Sequence, residues 1–140
     1  MSDWSAIGAI VSGVSAFISA IAVIIAVSAL KEQAAATKFV IFESCFNRIL
    51  DLEKELYSEY ADKREDEKKR WDSLFFNSIE ELSFLSNEGY LDDPKMINFF
   101  SPAIITWYEQ IFKEHYPEEV IKNPDVFPEM KKLYKKIKKN

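Results

Sequence analysis

Between Ser5 and Leu30 the chain carries no charged residue, and no other feature limits its fold as strongly. At about 1.5 Å per residue, a helix over this run is about 39 Å long, more than the roughly 30 Å hydrocarbon core of a bilayer requires. Lys31 and Glu32 end the run. The pattern predicts a transmembrane helix over residues 5–30, a short extracytoplasmic segment at 1–4, and a tethered domain at 31–140. All 18 Lys and Arg lie at or after Lys31, and Asp3 is the one acid before it, so the net charge of −5 belongs almost wholly to that domain.

A cleaved signal peptide fits this N-terminus less well. The basic leader is missing, and the run is longer than the roughly 7–15 residues of a signal core. Lys31, Lys38 and Arg48 follow the run and no basic residue precedes it. By the positive-inside rule the N-terminus is then outside and the domain cytoplasmic, at a bacterial inner membrane. Trp4 suits the outer interface.

Written at heptad spacing, the run shows a second pattern. Ser5, Gly8, Ser12, Ser15, Ser19, Ala22, Ala26 and Ala29 recur at intervals of three and four, and every one is small. With half of the run small, chance produces such a register on the order of 1% of the time. Lipid gives no hydrophobic drive between helices, so close backbone approach and interhelical hydrogen bonds supply their association. The stripe predicts a homo-oligomer meeting along this face, and its serines are candidates to face a narrow pore. The bland alternative is that membrane helices are often rich in small residues.

Beyond residue 31 the apolar spacing marks a series of helices. Phe39, Phe42, Phe46, Ile49, Leu56 and Tyr60 mark one apolar face, in a stretch from 31 to about 62 without Gly or Pro. The charged run Asp62–Arg70 reads as an exposed helix end or turn. Trp71, Leu74, Phe75, Ile79, Leu82 and Leu85 form the inner face of a second helix that Asn87 and Gly89 end. Asp93 before Pro94 is a helix start, and Ser101-Pro102 repeats it. This predicts a short helix over 94–100 and another from Pro102 to about Tyr116. Residues 117–125 read as loop, and a last helix spans about Val126 to Lys139. No stretch alternates with period two. The expected fold is all-α, a membrane helix continuing into a bundle of about four helices.

The last helix carries Lys131, Lys132, Lys135, Lys136, Lys138 and Lys139 with no acid beside them. Close to an inner leaflet these are candidate contacts for anionic lipid. As a solvated face they would suit the negative end of the helix dipole. No aromatic stacking groove accompanies them, which argues against nucleic acid as a partner.

Three glycines cannot build a phosphate loop or a dinucleotide fingerprint, and single Cys45 excludes both a disulfide and a cysteine-rich zinc site. His115 has Gln110, not arginine, five residues before it, unlike helical RNA-cleaving domains. No catalytic residue, metal or cofactor is expected, and the chain is not read as an enzyme.

Phe76, Asn77 and Glu80, then Gly89, Tyr90, Leu91 and Asp92, then Trp107 and Tyr134 together resemble an uncharacterised bacterial and prophage family of single-pass membrane proteins. The resemblance implies a helical cytosolic domain after one membrane helix. In layout the chain is also similar to membrane-pore accessory proteins of RNA-targeting CRISPR systems. The expectation is a homo-oligomeric protein that permeabilises or perturbs the membrane in antiviral defence or phage exclusion. The alternatives are a tethered module that recruits a cytosolic protein or senses a ligand, and, last, a membrane-anchored nuclease.

Overall fold

The computed structural model describes residues 2–140, with side chains from Ile21 onward. Every element among them is helical, in order α1 (Ser2–Ser58), a 3-10 turn (Tyr60–Asp62), α2 (Glu65–Asn87), α3 (Pro94–Thr106), a π-helical segment (Trp107–Phe112), α4 (Lys113–His115), α5 (Glu118–Lys122) and α6 (Pro128–Lys139). The chain forms two compact units, Met1–Phe39 and Val40–Asn140. In the first unit every side chain from Ile21 to Phe39 is exposed. Among the described residues no helix is long and apolar enough to cross a membrane.

The second unit has an aromatic core. From α1 it takes Phe42, Cys45 and Ile49, spaced by three and four as one helix face requires. From α2 come Trp71, Phe75, Phe76, Ile79 and Leu82, and from the segment after Pro94 come Phe100, Ile104, Trp107, Ile111 and Phe112. Trp71 stacks on Phe75 with ring centroids 4.7 Å apart, and Phe42 meets Phe100 at 5.6 Å. The indole N–H groups of Trp71 and Trp107 are satisfied. Trp71 Nε1 donates to the Leu52 carbonyl at 3.0 Å, and Trp107 Nε1 to Glu53 Oε2 at 2.6 Å.

Local signals set the helix ends. Asp93 caps α3 by accepting the Lys95 N–H at 2.9 Å, with Pro94 in the first turn. After α2, Gly89 takes φ 81°, the left-handed conformation that a side chain would strain. Glu65, Asp66 and Glu67 open α2, where acids complement the positive end of its dipole.

Three expectations are corrected. Pro102 does not divide two helices. It lies inside α3, which runs on through the π segment to His115. Pro102 and Asn98, whose carbonyl loses its N–H partner, are both exposed, so the helix continues where that lost bond is not buried. Leu74 is half exposed rather than internal. The buried stripe of α2 is shifted toward Phe76, with Ser78, Ser83 and Ser86 filling the rest. The stretch 117–125 contains a short helix, α5, rather than loop throughout.

Ser83 is fully buried and its hydroxyl has no partner among the described residues. An unsatisfied buried hydroxyl is destabilising, so Ser83→Ala is expected to raise stability by about 1 kcal/mol. A denaturant midpoint that falls instead would show that the hydroxyl is satisfied.

Candidate functional site

The lysines of the last helix do not share one role. Lys131 is buried, and its ammonium donates to the carbonyls of Val120, at 2.9 Å, and Asn123. It ties α6 to the end of α5 and is corrected from a lipid contact to an internal clamp. Burial lowers its pKa, the Lys135 charge lowers it further, and Glu80 opposes both. Lys138 is paired with Glu109 at 3.1 Å, so an acid does stand beside this helix, contributed by the π segment. Glu109 also accepts the Tyr134 hydroxyl. Lys132, Lys135, Lys136 and Lys139 are exposed. Lys132 and Lys135 face a cleft toward α5, whereas Lys136 borders a separate recess with Ser86, Ser101 and Leu133.

α6 is held in place from α2. Glu80 accepts the Glu129 N–H at 2.9 Å through one carboxylate oxygen and the Met130 N–H at 2.7 Å through the other. Two orphan donors of the first turn are thereby satisfied by a charge that also suits the dipole. Asn87 adds bonds to the Glu129 carbonyl at 2.9 Å and to its carboxylate at 2.8 Å. Phe127, immediately before α6, has φ 48°. A left-handed residue with a side chain costs about 1–2 kcal/mol, and packing on Phe76, Phe112 and Tyr116 holds it there.

A second polar cluster joins His115, Asp72 and Tyr60. His115 Nδ1 is 2.7 Å from Asp72 Oδ1, and the Tyr60 hydroxyl donates to the same oxygen at 3.1 Å. Both His115 and Asp72 are mostly buried, and the Tyr60 and Trp71 rings lie tilted against the imidazole at 5.0 and 5.8 Å. The contact is a side-chain hydrogen bond in which the imidazole tautomer decides which atom donates. Among the described residues no hydroxyl or thiol bonds to His115 except through Asp72. The Cys45 thiol is buried in the core, where desolvation and then Glu81 push its pKa up, opposing thiolate formation, while Arg48 pulls the other way.

The tyrosines record these environments. Tyr134 is pushed up to about 12 by its bond to Glu109 and then by burial. Tyr116 reaches about 12 through burial and then the Asp72 charge. Burial raises Tyr60 and Tyr108 as well. Each phenol holds its proton more tightly folded than unfolded. The stability this represents is fully present below the ordinary value of 10 and is lost as pH rises toward about 12. Absorbance titration at 295 nm is expected to show these four tyrosines ionising late and together with unfolding. Four normal titrations in a folded chain would contradict it.

Of the small-residue stripe, Ala22, Ala26 and Ala29 lie exposed on α1. Ser5, Gly8, Ser12, Ser15 and Ser19 lie outside the residues whose side chains are described. Comparison with protein-family models, curated proteins and solved structures finds no match to this chain.

Proposed function

We propose that the chain is a membrane-anchored homo-oligomer, with residues 5–30 as its membrane helix and the stripe Ser5–Ala29 as its assembly face. One observation carries this reading. Ile21, Val23, Ile24, Ile25, Val27 and Leu30 are between 42% and 66% exposed on a helix that carries no charged residue from Ser5 to Leu30. Full burial of each such side chain is worth about 1.5–3 kcal/mol, which lipid or other helices covering this uncharged run would supply. The basic residues after the run support a cytoplasmic position for Val40–Asn140 at a bacterial inner membrane.

The activity such an assembly would carry is permeabilisation of the membrane, with Ser12 and Ser15 facing the centre. Its setting in antiviral defence or phage exclusion rests on the resemblance in layout. Liposomes loaded with a small dye are expected to leak with the intact chain, and leakage should fall at least about tenfold on Ser12→Leu or Ser15→Leu, since a bulky side chain blocks close helix approach. Leakage unchanged by both substitutions would rule out the pore-facing assignment.

A tethered sensing module is the second reading, favoured by the basic cleft beside α6. On that reading an unrelated membrane helix substituted for residues 5–30 preserves the activity.

A further inference from the structure

Between α6, the end of α5 and the π segment lies a cleft of about 440 Å³. Its charged lining is Lys122, Lys131, Lys132 and Lys135, and no carboxylate lines it, although the chain as a whole is acidic with a net charge of −5. The remaining wall is Tyr108, Ile121, Pro124 and Pro128, a largely apolar surface. This volume is within the range of about 300–1,000 Å³ typical of small-molecule pockets, which combine apolar walls with a few placed polar groups.

The four ammonium groups are not equivalent. Lys131 sits at the base, held by the Val120 and Asn123 carbonyls, which occupy two of its three donors. Its Nζ also stands 5.7 Å from the centre of the Phe112 ring. Lys122 is at the rim and pairs with Glu118 at 2.6 Å, both side chains being about three-quarters exposed. A pair that exposed is worth little and yields readily to a competing anion. Among the described residues Lys132 and Lys135 have no carboxylate partner, and Lys135 lies close enough to Lys131 for its charge to oppose protonation there. A fifth ammonium, Lys113, stands 5.6 Å from the Tyr108 ring centre that forms part of the wall. Like charges gathered in one cleft repel one another, and an anion seated among them relieves that repulsion.

We propose that this cleft binds a small phosphorylated anion, with Lys132 and Lys135 as its open ligands and Lys131 as a fixed charge at its base. Lysine ammoniums act as point charges and suit a multiply charged phosphate, whereas planar carboxylate recognition favours the arginine fork, which the cleft lacks. The same chemistry belongs to a free phosphate ester and to a phospholipid headgroup. The assignment does not rest on the membrane-anchored reading and stands or falls without it.

The test uses the full chain in a non-ionic detergent, titrated calorimetrically with inorganic pyrophosphate. Saturable binding is expected, weakened at least about tenfold in the double variant Lys132→Ala/Lys135→Ala, which removes two charge-assisted bonds. Lys136→Ala/Lys139→Ala, on the same helix but outside the cleft, should stay within about twofold of the parent. Competition by phosphatidylglycerol-containing vesicles, but not by phosphatidylcholine vesicles, would place the phosphate on a lipid headgroup, and its absence would place it on a soluble ester. Equal weakening in both double variants, or no saturable binding of either pyrophosphate or phosphatidylglycerol vesicles, would overturn the site.

Discussion

Phe76→Ala is expected to destabilise the helical body by about 3–5 kcal/mol, the range for emptying a buried phenylalanine site. Phe76 is fully buried and central to the aromatic core. Its ring meets Phe75 at 5.0 Å, Tyr116 at 5.3 Å, Phe112 at 5.4 Å and Phe127 at 5.9 Å. These neighbours come from α2, the π segment, the turn before α5 and the turn before α6, so no single helix can move to close the cavity. The loss extends to Phe127, whose left-handed backbone depends on the same packing. With a total stability of about 5–15 kcal/mol for an ordinary domain, much of the reserve would go. Chemical denaturation of Val40–Asn140 within the full chain, followed by near-ultraviolet circular dichroism, measures this. A shift below about 1.5 kcal/mol would mean that the core repacks around the gap.

Glu80→Ala is expected to cost about 2–3 kcal/mol and to loosen α6 selectively. Two hydrogen bonds to a carboxylate are lost, and the Glu129 and Met130 N–H groups are left without their protein acceptor. The net value is kept below the sum of two charged bonds because Glu80 is partly exposed and water replaces some of what is removed. Glu80→Gln, which keeps one acceptor and loses the charge, should cost about half as much. Hydrogen exchange distinguishes this from general destabilisation. Amides of Met130–Tyr134 should exchange faster while those of Phe75–Leu82 keep their protection. Uniform acceleration across α2 and α6 would contradict the latch.

What the sequence revealed depended on how local each signal was. The cap at Asp93-Pro94 and the turn at Gly89 are encoded within a few residues and are where the pattern places them. The all-helical class follows equally from the lack of alternation. Pro102 misleads because proline breaks a helix only where its missing bond cannot be replaced, and its exposure depends on which face of α3 meets the core. The shift of the α2 stripe is hidden because serines, not apolar residues, make its edge. Lys131 illustrates the same limit at the candidate site. Nothing in the spacing of α6 distinguishes it from Lys132, and its two carbonyl partners arrive from the end of α5 through tertiary folding. His115 with Asp72 is likewise 43 residues apart in the chain and has no local signature. Glu80 stands three residues after Asn77 on α2, and its bond to the start of α6 is a tertiary fact.

Assembly through the stripe in residues 5–30 is the claim on which the proposed function depends, and the mass of the intact particle tests it most directly. The full chain in a mild detergent, examined by light scattering with the detergent contribution subtracted, is expected to show a discrete multiple of the 16.3 kDa protomer. The double substitution Ser12→Leu/Ser15→Leu should return it to the protomer mass without changing the helical content of Val40–Asn140. A parent chain at 16.3 kDa, or a multimer that both substitutions leave intact, would contradict the account.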